Sequence, residues 1–122
     1  MSTTQDISDK FTSLDEEEGP TVWMNQPQKN LVNIVVGTNP TDPIKVLRMS
    51  PNEIGKLYYR NTGEEFIPLD DSIEGPTIWM NNPEKHLINI VTGADPTDPM
   101  KTVRMSPNEV KKLCIQTEFH DV

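Results

Sequence analysis

Residues 19–59 read GPTVWMNQPQKNLVNIVVGTNPTDPIKVLRMSPNEIGKLYY, and residues 75–115 read GPTIWMNNPEKHLINIVTGADPTDPMKTVRMSPNEVKKLCI. At a constant offset of 56 and with no gap, 26 of the 41 positions are identical. Val22/Ile78, Val32/Ile88 and Ile54/Val110 are conservative differences. A fainter match with a one-residue slip lies upstream, where Phe11, Leu14 and Asp15 correspond to Phe66, Leu69 and Asp70. Such a repeat has to be recognised before any element is assigned. Two copies are too few for a solenoid, so a pair packed about a pseudo-twofold axis is expected.

Within one unit, Thr21–Asn25 is a short β-prone run. The residues Asn25–Asn30 follow as a turn, with Pro27 at the position that wants a fixed φ. Leu31–Val36 is rich in β-branched residues and ends at Gly37. The loop Thr38–Pro43 holds two prolines and is irregular. Ile44–Met49 is the third strand candidate. Ser50-Pro51-Asn52-Glu53 is a capping box with proline at the first helical position. Ile54, Leu57 and Tyr58 then make one apolar helical face, and Val110, Leu113 and Cys114 repeat it. Each unit reads β-β-β-α, and the chain is α+β, a tandem duplication forming an intramolecular pseudo-twofold dimer. Its expected divisions are an acidic flexible leader (1–18), unit 1 (19–59), an acidic connector (60–74), unit 2 (75–115) and a tail (116–122).

The copies also sort the faces. Leu47/Val103 and Met49/Met105 stay apolar whereas Val46 becomes Thr102, so the former pair of positions is the core side of the third strand. Arg48 and Arg104 alternate away from that side.

The net charge of −8 is unevenly spread. The two units carry +2 and +1, while the leader, connector and tail carry −5, −4 and −2. An acidic chain is a poor binder of nucleic acid or of anionic membranes. No apolar run is long enough to span a bilayer. The opening residues lack the apolar core of a secretory signal, and one cysteine excludes an internal disulfide framework. A cytoplasmic setting is expected.

Candidate binding residues come in pairs. Trp23 and Trp79 are the two tryptophans, and each either packs over the helix or the sister unit or forms an aromatic platform on an exposed sheet face. Asn25 and Asn81 follow them in the shared Trp-Met-Asn run. Asn33 and Asn89 interrupt an apolar strand, where an amide needs partners. Such an amide either bonds a bulge or a sheet edge, or reads a ligand in a cleft between the units. Arg48 and Arg104 are either solvated charge or, together at the dyad, a grip for phosphate or carboxylate. Asp42 and Asp98 sit in identical Pro-Thr-Asp-Pro loops, stiff enough to cost little entropy on binding.

Catalytic and metal chemistry finds little material. His86 aligns with Asn30, Cys114 falls on the helix's core side, and Ser50 and Ser106 are caps. No Cys/His cluster has metal spacing, and the glycines are scattered singly. A non-enzymatic chain without cofactor or metal is expected, presenting one recognition surface twice to a protein partner. Other classes compete with that reading. One is a binder of a small anionic ligand at the dyad. Another is an acidic inhibitor mimicking nucleic acid through Asp15-Glu16-Glu17-Glu18 and the connector acids. The last is a self-assembling structural subunit, a homo-oligomer.

Overall fold

The computed structural model describes residues 8–14, 21–60, 62–70 and 77–117. It is α+β, with two antiparallel four-stranded sheets and two helices. The first sheet has the order β1 (Ser8–Ser13), β2 (Val22–Gln28), β3 (Leu31–Val36), β4 (Lys45–Met49), and is followed by α1 (Pro51–Tyr59). The second has β5 (Ile67–Pro68), β6 (Ile78–Glu84), β7 (Leu87–Thr92) and β8 (Lys101–Met105), followed by α2 (Pro107–Gln116). Each sheet therefore holds one strand more than the expected three. The additions, β1 and β5, come from the segments read as leader and connector, beside the faint Phe11/Phe66 match. Of the acids there, Asp15–Glu18, Asp71 and Glu74 lie outside the described residues.

A second correction concerns the prolines. Pro27 and Pro83 stand inside β2 and β6, and the reversals fall at Lys29–Asn30 and Lys85–His86. Proline cannot donate to a ladder, and each one lies where the pairing slips. The register breaks between Asn25 and Gln28 in one sheet and between Asn81 and Glu84 in the other.

Alternation places the core as the paired copies suggested. Val22, Met24, Val32, Ile34, Leu47 and Met49 of the first sheet are buried, as are Ile78, Met80, Ile88, Ile90, Val103 and Met105 of the second. All belong to one apolar cluster with Ile54, Leu57, Val110 and Leu113 of the helices. Tyr58 departs from expectation: it is exposed and stacks edge-on against Tyr59, with ring centroids 5.2 Å apart. Cys114 is half-buried against the core, and desolvation pushes its thiol pKa up, which keeps it protonated.

The sheets meet along their edge strands, β4 against β8, and the helices pack on each other. The contacts between halves are crossed. Lys56 of α1 donates to the carbonyl of Leu69, just past β5, at 3.2 Å, and Arg60 donates to Pro68 at 2.9 Å. Lys112 of α2 donates to the carbonyl of Leu14, just past β1, at 3.4 Å. Each helix thus holds the outermost strand of the sheet that its own half did not build.

Both capping boxes form: Ser50 and Ser106 accept from the amides of Glu53 and Glu109 at 3.2 Å, and the carboxylates accept in return at 2.7 Å. The Glu53 carboxyl is held above its ordinary pKa, chiefly by burial and further by the Asp70 carboxylate, against the lowering effect of its Ser50 hydrogen bonds. A raised acid contributes stability below its unfolded pKa and loses it as pH rises through the folded value. Glu53→Gln keeps an acceptor for the Ser50 amide and removes the charge. Relative to wild type, the variant is therefore expected to gain stability between pH 4 and pH 7. Urea midpoints at both pH values check this, and a difference that moves the other way contradicts it.

Candidate functional site

The face of each sheet turned away from the core gathers most of the candidate residues. Cross-strand register sets Trp23 opposite Val35, and Val35 opposite Val46. In the adjacent row Asn25 faces Asn33, and Asn33 faces Arg48. The second sheet repeats both rows, as Trp79–Val91–Thr102 and Asn81–Asn89–Arg104. Trp23, Asn25, Asn33 and Arg48 are thus neighbours on one surface, and Trp79, Asn81, Asn89 and Arg104 are neighbours on the other. Residues two apart along each strand share a face, and pairing brings the rows side by side.

The tryptophans lie half-buried on these faces. The Trp23 indole N–H donates to the carbonyl of Gly37 at 3.2 Å, and Trp79 to that of Gly93 at 3.1 Å. Both glycines have positive φ, +154° and +141°, which strains any side chain placed there. The ring stands opposite Val35 or Val91, each only 2% exposed although outside the main apolar cluster. Each indole is held at its polar edge by its bond to the glycine carbonyl and is partly exposed.

Beside it lies an amide pair. Asn33 donates to the Asn25 side-chain oxygen at 2.9 Å, and Asn89 donates to Asn81 at the same distance. The Asn81 amide continues to the carbonyl of Glu64 at 2.8 Å. The oxygens of Asn33 and Asn89 are buried and accept no hydrogen bond, an arrangement that costs about 1–3 kcal/mol for each group. Asn25 and Asn81 stand where the register breaks, so each amide pair lies beside a bulge.

Asp42 and Asp98 stand apart, in exposed turns. Asn39 accepts from the Thr41 amide and hydroxyl at 3.1 and 2.8 Å, and the Asp42 amide closes on the Asn39 carbonyl at 3.0 Å. Asp95 plays the part of Asn39 in the second loop, and the Thr97 amide and hydroxyl hold its carboxyl pKa below the ordinary range. Each loop then returns to its sheet through Ile44 or Met100, whose amide donates to Val36 or Thr92 at 2.8 Å.

Ile44 and Met100 carry no motif in the sequence, yet they stand out in the fold. They are 75% and 78% exposed, unusual for large apolar side chains. Their parity along the strand, shared with Val46/Arg48 and Thr102/Arg104, was the available signal. Tyr59 and Ile115, at the helix ends, are similarly exposed. Arg48 and Lys101, rather than Arg48 and Arg104, share a cleft of about 380 Å³ at the junction of the sheets.

Among the described residues no group of histidine, cysteine or carboxylate side chains could hold a metal ion. Among them too, no helix is long and apolar enough to cross a membrane. No known family model, curated protein or solved structure matches the chain.

Proposed function

We propose that this chain is a non-enzymatic, cytoplasmic binding module, a tandem duplication whose two copies pack about a pseudo-twofold axis and offer one surface twice to a protein partner. The observation that carries the reading is the matched pair of sheet faces. Each places an anchored indole, an amide pair and an exposed arginine in the same register. Each is entered past an exposed large apolar residue, Ile44 or Met100. A rigid aromatic surface beside a cation suits a protein interface. Two such surfaces on one chain engage a repeated or symmetric partner with an affinity neither has alone.

Affinity capture from the native cell tests this with Arg48→Glu, Arg104→Glu and the double variant. Both arginines are exposed, so the melting temperature should stay near that of wild type. One partner is expected to be recovered by wild type, weakened by either single change and lost with the double change. A partner retained by the folded double variant argues against the reading, and so does loss with one single change only.

A further inference from the structure

A cleft lies where the first sheet's edge meets the second sheet. Its lining comes from both sheets: Val46 and Arg48 from β4, and Ile78, Thr92, Met100 and Lys101 from β6, β7 and the entry to β8. Its volume of about 380 Å³ falls in the range of small-molecule sites. Arg48 and Lys101 are exposed, and neither side chain makes a hydrogen bond or ion pair among the described residues. Two cations without an ion pair among the described residues line one cleft in a chain whose net charge is −8. The rest of the lining is Val46, Ile78 and Met100, with Thr77 and Thr92 as polar points. Met100 lies over the cleft with most of its side chain in water.

We infer that this cleft binds a small organic anion with an apolar body, a carboxylate carried on a short hydrocarbon. The guanidinium and ammonium supply donors and charge for the head. Val46, Ile78 and Met100 supply the surface that an inorganic ion would leave wet. Octylammonium has the same body with the wrong charge, and inorganic phosphate has charge without the body. The inference shares Arg48 and Met100 with the partner-binding reading but concerns a solute, and Lys101→Gln, outside the proposed partner surface, distinguishes the two.

Titration of the full chain with octanoate, followed by NMR, tests it. Saturable shifts are expected at the Thr77, Ile78 and Thr92 amides and the Met100 methyl. Octylammonium should leave them in place, and phosphate should bind at least tenfold more weakly than octanoate. Arg48→Gln/Lys101→Gln is expected to weaken octanoate tenfold or more, while Lys29→Gln/Lys85→Gln, in the hairpin turns, keeps wild-type affinity. Met100→Ser should weaken octanoate and leave phosphate unchanged. All these side chains are exposed, so the variants should fold. Unchanged affinity in Arg48→Gln/Lys101→Gln, equal binding of octylammonium or phosphate, or shifts confined to other residues would overturn the inference.

Discussion

Residues 75–122, produced alone, are expected to remain unfolded as a monomer. This half contains a helix, α2, with a formed cap, and three strands of ordinary length, yet it lacks what completes them. The Lys112 ammonium reaches for the carbonyl of Leu14. The edge of β8 lies against β4, and α2 packs on α1. Val103, Leu113 and Ile90, each 0% exposed in the full chain, belong to a cluster to which both halves contribute. Cutting the chain exposes that apolar surface, and an isolated piece of this size buries too little to offset its conformational entropy. Circular dichroism and light scattering of the fragment decide the matter. A cooperatively melting monomer would sink the prediction. Mixing the fragment with residues 1–74 should restore structure, since the missing partner surfaces are then supplied.

The second large effect is expected at the helix contacts. Leu57 and Leu113 are fully buried at corresponding places on α1 and α2. Each Leu→Ala change removes apolar contact and leaves a cavity that surrounding side chains only partly fill, for a loss of about 2–5 kcal/mol. Domains of this kind are stable by about 5–15 kcal/mol, so the double variant should lose a large part of its stability. Leu57→Met, which conserves volume, should cost less than about 1.5 kcal/mol. Urea unfolding followed by tryptophan fluorescence measures all four variants. Losses below about 1 kcal/mol for both alanine variants would place the helices outside the cooperative core.

Much of this architecture was legible in the sequence, because local rules and burial agree there. Ser50-Pro51-Asn52-Glu53 specified the helix start by itself. The Val46/Thr102 difference identified the face of β4 and β8 away from the core, and with it the side on which the arginines lie. β1 and β5 were not legible. Ser8–Ser13 is mostly polar and β5 has two residues, so neither carries a periodic signal. Their strand character comes from pairing with β2 and β6. Pro27 misled for a related reason: proline usually closes a strand, but a bulge lets this one stay within it. Ile44 and Met100 look like core residues by type, and only their parity says otherwise. The crossed helix contacts could not be read at all. Two near-identical segments show which surfaces match, but not which half each surface touches.

The crossed arrangement also bears on how the chain reaches its native state. The bond from Lys112 to Leu14 joins residues 98 apart, nearly the whole length of the chain. Closing so long a loop is entropically slow and is rewarded only when both ends are present. During synthesis the first sheet would emerge with Leu14 still waiting for the last helix to be made. Folding would then conclude as one late event, with the final turns of α2 as the step that locks the first strand in place.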